Sequence, residues 1–408
     1  MARALPGVAL VVRSGRLQVR ANDQAHRFRA ASDFIWLTGC DDAGAVLVLD
    51  HDGAPTLFIR APHARGSVAD HTDRVAGRVW VGVQPEPDEV AHRLGLEVRP
   101  LSELPRALEA LDPNATRHLD PQVGEGADVA AVLHELRLCK DEYEVGQLEL
   151  AVAATVRGFE DVVGELGRAT RSGERWLEGT FDRRARTDGH EPGYQTIVAA
   201  GPDASVLHWT RNDGPVRPGK LLLMDAGVEV RSHYTADITR TLPIDGHYTP
   251  PQRDVYTLVL ASQRAGIEAV RPGASYGDIY DACMRVIVDG LDAWGLLPEG
   301  PDAALDPEGQ HHRRYTVCGT GHMLGLDVHD CAAARDAAYA HGTLAPGHVL
   351  TVEPGLYFQP DDLTVPAELR GMGVRIEDDV LVTRSGHRVL SDALPSEPDA
   401  VEAWLAAR

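Results

Sequence analysis

The stretch LLLMDAG, residues 221–227, is an apolar run that ends on a carboxylate and is followed at once by a turn signal. This pattern predicts a buried β-strand with Asp225 held near its end. Twelve positions after Asp225, the segment ADITRTL, residues 236–242, alternates with period two, so that Asp237, Thr239 and Thr241 share one face of a second strand. Thr239 is then placed to support the carboxylate of its neighbour on that face.

Two further acids occur in similar contexts downstream. The segment GVRIEDDVLV, residues 373–382, alternates as a strand, which puts Arg375, Glu377 and Asp379 on one face. Glu353 stands before Pro354, and a residue in that position is restricted to extended geometry. His322 lies between these segments in GHMLGLDVHD, residues 321–330. Strand-borne side chains of this kind suit a rigid metal site.

Four carboxylates and one imidazole form a mostly hard, oxygen-rich ligand set. Two divalent cations would cancel the four negative charges, which otherwise could not converge without taking up protons. Such a set favours Mn²⁺, Co²⁺ or Fe²⁺ over a thiolate-type structural zinc site. Paired metals bridge a hydroxide and polarise a carbonyl, so the implied reaction is hydrolysis. Taken singly, each acid is better explained as a solvated or capping residue; only the joint pattern indicates a metal site.

The segments around these residues, in their order along the chain, resemble the motif series of the metallopeptidases that include aminopeptidase P and prolidase. The resemblance implies an α+β "pita-bread" catalytic domain of the creatinase/aminopeptidase type. It implies hydrolysis of the bond N-terminal to proline by a metal-bridging hydroxide, with two divalent ions, manganese first and cobalt, zinc or iron as alternatives. By the same resemblance Asp225 binds one metal, Asp237 and Glu377 bridge both, and His322 and Glu353 bind the other.

The resemblance also implies roles for residues around the metals. His208, in SVLHW (205–209), matches a histidine near the scissile bond, and His329 matches one that assists proton transfer. Glu353 would relay a proton to the leaving imino nitrogen. Tyr194 and Arg375 resemble side chains on the substrate side of the site, although an aromatic residue before a strand needs no functional explanation.

One position departs from the family pattern. Many relatives carry a histidine four residues before the ligand histidine, and here that position is Cys318. A thiol is a weak hydrogen-bond donor and cannot offer an imidazolium charge to a substrate carboxylate. Cys318 is therefore an altered substrate contact or a neutral filler, and Cys318→His is predicted to improve the handling of Xaa-Pro substrates.

Length and composition suit a two-domain enzyme. The chain has 408 residues and a formal net charge of −21, which argues against binding to nucleic acids or anionic membranes. The cysteines are odd in number and form no C-x-x-C pair, which favours a reducing compartment, and we expect a cytoplasmic protein. The expected partners are peptides with proline at the second position and further copies of the chain, as a homodimer or higher homo-oligomer.

A domain division is expected near Leu138. Residues 1–138 carry apolar stretches at 46–49, 56–59 and 79–81 separated by turn-rich and helical pieces, which predicts an α/β domain. The segment FRAASDFIWLTG, residues 28–39, resembles the N-terminal domain of aminopeptidase P. Residues 139–408 would form the catalytic domain, with the entry into its first helix in residues 136–145, a second helix starting at Thr249-Pro250 and another running from Ser275.

Three alternatives stay open at this stage. Prolidase acts on Xaa-Pro dipeptides only, and the sequence does not reveal which loops close the far end of the pocket. Creatinase shares the fold without metals, but the intact ligand set counts against it. A non-catalytic peptide-binding module on the same fold is the third alternative, and the retained ligands again argue against it.

Overall fold

The computed structural model describes residues 3–120, 122–317 and 319–408. The chain divides into two compact units, with the division between Leu136 and Arg137. No helix within the described ranges combines the length and the apolar composition needed to cross a membrane. Cys318 lies outside the described residues, so the prediction made for it stays a prediction.

The N-terminal unit is built on a mixed β-sheet. Its strands are β1 (Ala9–Arg13), β2 (Val19–Ala21), β3 (Gln24–Ala25), β4 (Val46–Leu49), β5 (Pro55–Ile59), β6 (Glu97–Pro100) and β7 (Thr116–Leu119). Its helices are α1 (Ser32–Thr38), α2 (Val68–Thr72), α3 (Arg78–Val81), α4 (Pro87–Leu94), α5 (Leu104–Glu109) and α6 (Ala127–Arg137). Five of the strands pair in the order β6-β5-β4-β1-β7. The parallel pairs, β1 with β7 and β5 with β6, flank an antiparallel centre.

The apolar runs of this unit form the predicted strands with one exception. Val46–Leu49 and the run ending at Ile59 are buried strands, and they pack with Val11 and Leu104 in one core cluster. Residues 79–81 instead lie in the short helix α3, where Trp80 is 51% exposed. The three residues carried no alternation to separate a strand from a helical turn, so apolar composition alone gave the wrong element.

Several antiparallel sheets and long helices make up the C-terminal unit. Its strands are β8 (Glu191–Pro192), β9 (Ile197–Ala200), β10 (Leu221–Ala226), β11 (Val228–Glu229), β12 (Ile238–Pro243), β13 (Val349–Val352), β14 (Gly355–Phe358), β15 (Met372–Arg375), β16 (Asp378–Val382) and β17 (His387–Val389). Its helices are α7 (Glu142–Ser172), α8 (Glu174–Asp188), α9 (Pro250–Ala269), α10 (Tyr276–Ala293), α11 (Pro301–Leu305) and α12 (Pro398–Ala406). Strands and helices that are segregated in this way give an α+β unit.

Two small sheets and a pair of strands carry the residues of interest. One sheet has the order β12-β10-β9 and the other β13-β16-β17, while β14 pairs with β15. The register of β10 against β12 sets Asp225 opposite Thr239. The expectation of one continuous strand over residues 373–382 is wrong, because β15 ends at Arg375 and β16 begins at Asp378, and the two pair with different partners. Glu377 therefore lies at a break between two strands.

The predicted helix starts agree with the observed caps. Asp141 caps α7, accepting a hydrogen bond from the Glu144 backbone, and the Glu144 side chain completes a capping box. Thr249 and Pro250 begin α9 in the same manner, and Ser275 begins α10. Helices α9 and α10 pack closely against each other, and the buried faces of both are apolar. These caps fix where the helices meet the sheets that carry the site.

Candidate metal centre

A cavity of about 650 Å³ lies within the C-terminal unit. Its walls bring together the residues that the sequence singled out from seven separate segments. The lining includes Tyr194, His208, Asp225, Asp237, His322, His329, Glu353, Arg375 and Glu377.

The strand pair β10 and β12 brings Asp225 and Asp237 together. Gly227 lies in the turn after β10, and a Cβ atom at that position would lie 1.7 Å from the Ala236 carbonyl oxygen. Such a contact is impossible, so only glycine lets the two strands approach this closely. The Glu377 backbone N–H donates to the Thr239 carbonyl across 3.1 Å, which joins the break between β15 and β16 to the same sheet.

His322 and Glu353 are held against each other by the backbone of β13. The Thr351 N–H donates to the His322 carbonyl across 2.8 Å, and the His322 N–H donates to the Thr351 hydroxyl across 3.1 Å. The Glu353 N–H donates to the Thr320 carbonyl across 3.0 Å. The loop that bears His322 therefore runs alongside β13, which Glu353 directly follows, and both residues line the cavity.

The ligand atoms of the predicted set approach one another closely. His322 Nε2 lies 3.3 Å from Asp237 Oδ2 and 3.5 Å from Glu353 Oε1. One ligand atom each from Asp237, His322 and Glu377 lies within 4.8 Å of the other two. These three residues could therefore bind a common cation, with Asp225 and Glu353 beside them.

Burial and mutual repulsion raise the pKa of the acids in this cluster. Burial, followed by the charge of Asp225, raises the pKa of Asp237 to about 7. Burial also raises the pKa of Glu377 and of Glu353. Burial alone would lower the pKa of His322, but its hydrogen bond to Asp237 and the charge of Glu353 outweigh that effect and raise the pKa to about 9. A divalent cation bound among these groups would favour their deprotonated forms.

A buried carboxylate oxygen of Glu377 also indicates a place for a cation. Glu377 Oε1 is buried and has no hydrogen-bond partner within the described part of the chain, whereas Glu377 Oε2 accepts the Thr239 hydroxyl across 2.6 Å. An unpaired buried carboxylate oxygen is costly, and in native proteins it calls for a specific partner. The donor set and this free oxygen fit a divalent metal ion.

Two polar side chains orient the carboxylates from outside the ligand set. The Tyr194 hydroxyl lies 2.6 Å from Asp225 Oδ1 and 2.5 Å from Asp237 Oδ1, and donates its proton to one of them. Arg375 is 1% exposed and donates to Asp225, to the Thr239 hydroxyl and to Tyr357. The Thr239 hydroxyl therefore donates to Glu377 and accepts from Arg375. The sequence pattern had instead predicted that Thr239 would contact the carboxylate of Asp237.

The two histidines expected near the scissile bond also line the cavity. The rings of His322 and His329 meet edge to face, with their centroids 4.4 Å apart. Burial and the neighbouring His322 lower the pKa of His329, which favours a neutral imidazole. His208 follows the 3₁₀ turn Gly201–Ser205, and its neighbour Trp209 donates from Nε1 to Glu174 across 2.8 Å.

Other residues at the site were not singled out from the sequence. Asp379 is fully buried, its pKa is raised by burial, and its Oδ2 accepts the Asp237 N–H across 3.3 Å. The alternation in residues 373–382 already grouped Asp379 with Glu377, so a signal for it existed. Tyr339 lines the cavity and its hydroxyl accepts the Met323 N–H across 3.0 Å, and no local pattern marked it.

Known sequence families match both parts of the chain. Residues 146–384 match metallopeptidase family M24, and residues 1–119 match the aminopeptidase P N-terminal domain. Xaa-Pro aminopeptidase 2 of Streptomyces coelicolor is 49% identical over 98% of this chain and 88% of its own length. Xaa-Pro aminopeptidase of Escherichia coli is 31% identical over 98% of this chain and 94% of its own.

Solved structures agree with these sequence matches. Aminopeptidase PepP of Pseudomonas aeruginosa is similar at a TM-score of 0.85 and 30% identity, covering 98% of this chain and 94% of that one. Aminopeptidase P of Escherichia coli with the inhibitor Pro-Leu is similar at a TM-score of 0.84 and 31% identity, with the same coverage. The expected fold class, an α/β N-terminal domain followed by a pita-bread catalytic domain, is confirmed.

Proposed function

The chain belongs to metallopeptidase family M24, and on this premise we propose that it is an Xaa-Pro aminopeptidase. It hydrolyses the bond between the first residue of a peptide and a proline at the second position. The observation that carries the proposal is the gathering of Asp225, Asp237, His322, Glu353 and Glu377 around one cavity, in a chain similar to Xaa-Pro aminopeptidases over 98% of its length.

The proposed cofactor is a pair of divalent ions, manganese first, with cobalt, zinc or iron as alternatives. The oxygen-rich donor set supports this choice. Asp225 would bind one ion, His322 and Glu353 the other, and Asp237 and Glu377 both. The free Oε1 atom of Glu377 supports a bridging role for that carboxylate, because its Oε2 atom is already committed to Thr239.

Bound divalent ions supply Lewis acidity, which polarises the carbonyl before proline and activates the attacking water. The protein groups then stabilise and redistribute charge around the reacting bond. His208 and His329 would donate N–H bonds to the carbonyl oxygen as it gains negative charge. Glu353 would accept a proton from the attacking water and pass it to the imino nitrogen of proline. Burial raises the pKa of Glu353, which suits a carboxylate that must hold a proton briefly.

Tyr194 and Arg375 would maintain the geometry of this arrangement while lying on its substrate side. The Tyr194 hydroxyl lies between two ligand carboxylates. Arg375 lines the cavity, but its guanidinium donates to three protein groups, so its contact with substrate would use the face of the group that meets the cavity.

Peptide length distinguishes the proposal from the prolidase alternative. We expect the manganese-loaded enzyme to cleave Xaa-Pro-Yaa tripeptides with a higher kcat/KM than Xaa-Pro dipeptides, and to leave the matched Xaa-Ala-Yaa peptide uncut. A higher kcat/KM on dipeptides than on tripeptides would instead identify the enzyme as a prolidase. No turnover of either peptide, with metal bound, would favour the non-catalytic binding module.

Three broader assignments belong to the same proposal. We keep the domain division at residues 1–138 and 139–408, a cytoplasmic location, and a homodimer or higher homo-oligomer. Fractionation of the native host tests the location, and light scattering of the purified protein tests the oligomeric state.

A further inference from the structure

Asp330 directly follows His329, and its carboxylate is bound by two buried cations. Lys140 Nζ donates to Asp330 Oδ2 across 2.9 Å, and Arg137 donates to Asp330 Oδ1. Arg137 also pairs with Asp327 across 3.1 Å. The side chains of Arg137, Lys140 and Asp330 are each no more than 2% exposed. None of the three lines the cavity.

Both the backbone and the carboxylate of Asp330 contact the loop that lies between His322 and His329. The Asp330 N–H donates to the Met323 carbonyl across 2.9 Å, which ties the end of the loop to the residue after His322. A Cβ atom on Gly325 would lie 2.3 Å from Asp330 Oδ2, so the carboxylate packs directly onto the loop backbone. The Cys331 thiol donates to the same oxygen across 3.0 Å.

Lys140 is an exception in the composition of the chain. Among 40 basic residues the sequence contains only two lysines, Lys140 and Lys220. Lys140 packs closely against the loop between the two histidines. A Cβ atom on Gly325 would lie 3.0 Å from Lys140 Cε, and the Lys140 backbone N–H donates to the Gly347 carbonyl.

A buried ion cluster is a weak means of stabilising a fold. The cost of removing the charges from water commonly matches or exceeds their mutual attraction, and well-packed apolar residues often do as well. What such a cluster does provide is a fixed geometry, because each donor and acceptor has a required position. Here the fixed group is the residue next to His329, whose ring contacts His322.

We propose that Arg137, Lys140 and Asp330 are positioning residues that hold the His329 imidazole at the reacting carbonyl. The proposal rests on the proposed function, since it assigns these residues to the same reaction. They touch neither substrate nor metal, and they act by fixing the loop from His322 to Asp330. Loss of one charge lets the His329 ring move, which lowers kcat more than it changes KM.

The test compares Lys140→Met with Lys220→Met. Methionine keeps most of the length of lysine and removes the charge, and Lys220 is exposed, so the control makes the same change at a free surface. We expect Lys140→Met to lower kcat on an Xaa-Pro-Yaa peptide by roughly 10- to 100-fold, the range for a displacement of about 1 Å. Metal content should equal that of the wild type. A wild-type kcat per metal-loaded site, with only the melting temperature reduced, would mean a structural role and overturn the proposal.

A double-variant comparison decides whether the effect passes through His329. In a His329→Ala background, adding Lys140→Met should leave kcat unchanged, because the group that it positions is gone. An equal loss in both backgrounds overturns the proposal. If His329→Ala alone keeps full activity, there is no catalytic group to position and the proposal is overturned. If the metal-loaded wild type leaves Xaa-Pro-Yaa peptides uncut, the proposed function has failed instead.

A milder variant keeps the test usable if Lys140→Met does not fold. The Asp327 side chain is 38% exposed and pairs with Arg137. Asp327→Asn should lower kcat in the same direction by a smaller factor, and the His329→Ala background should again remove the effect. An unchanged kcat in Asp327→Asn would then count against the cluster.

Discussion

Arg375, whose side chain is almost fully buried, donates from its guanidinium to Asp225 Oδ2 across 2.5 Å. The same guanidinium donates to the Thr239 hydroxyl and to the Tyr357 hydroxyl, each across 3.0 Å. One side chain therefore sets the orientation of a metal-ligand carboxylate and of the threonine that supports Glu377. Only a planar group with several donors meets all three partners at once.

We predict that Arg375→Lys lowers both stability and metal affinity. An ammonium group reaches Asp225 but gives up at least one of the two hydrogen bonds to the hydroxyl oxygens, at a cost of about 1–3 kcal/mol in the free energy of unfolding. Denaturant unfolding and manganese titration measure the two effects. Arg285→Lys serves as the control, because Arg285 is about half exposed and its ion pairs contribute little. Equal stability of the two variants would contradict the role given to Arg375.

Glu377→Gln is expected to stabilise the metal-free protein and to prevent it from binding metal. Burial and three neighbouring carboxylates raise the pKa of Glu377, so the charged carboxylate costs the metal-free fold free energy relative to the unfolded chain. An amide removes that penalty and should raise the melting temperature in a chelator. The same change should abolish metal binding and turnover, because a proposed metal ligand is lost. Glu368→Ala, at an exposed position, should alter neither quantity.

Replacing either cavity histidine should separate chemistry from metal binding. His208→Ala and His329→Ala are predicted to lower kcat by roughly 10²- to 10⁴-fold, the usual contribution of a positioned acid, base or hydrogen-bond donor. Metal content, measured by elemental analysis, should remain at the wild-type value. His341→Ala, at an exposed position, is the matched control. Loss of metal from His329→Ala would instead make that residue a ligand.

His348 should make stability depend on pH in a defined window. Burial, followed by the charge of Lys140, lowers the pKa of His348 to about 4. The folded chain then binds fewer protons than the unfolded chain between pH 4 and 6.5, the ordinary pKa of a histidine side chain. Stability is fully present above that window and is lost as the pH falls through it, by about 3 kcal/mol. His348→Asn should flatten this part of the profile in urea unfolding with chelator present. His247→Asn, a change on an exposed ring, should not.

The sequence predicted which residues form the site better than it predicted the strands and contacts around them. Asp225 and Asp237 were assigned to strands because local alternation determines which face a side chain occupies, and the structure agrees for β10. The break between β15 and β16 was missed, since the apolar alternation continues across it and only the pairing partners reveal it. The acceptor of the Thr239 hydroxyl likewise depends on which strand lies opposite.

Long-range contacts account for the remaining misses. Lys140 and Asp330 are separated by 190 positions, and no periodicity connects them. Tyr339 enters the cavity from a loop without regular alternation. Such pairings come from tertiary packing, which a single sequence does not encode in its local pattern.

The burial of Lys140 has a practical consequence for following the fold. Amine-reactive acylating reagents need solvent access to an uncharged ε-amino group, and Lys140 is enclosed and paired with Asp330, whereas Lys220 is exposed. Acylation of the native chain should therefore occur at Lys220 and the α-amino group alone. Modification of Lys140, detected by mass spectrometry of tryptic peptides, would then show that this part of the molecule has opened. Lys140 is therefore a built-in probe of local unfolding.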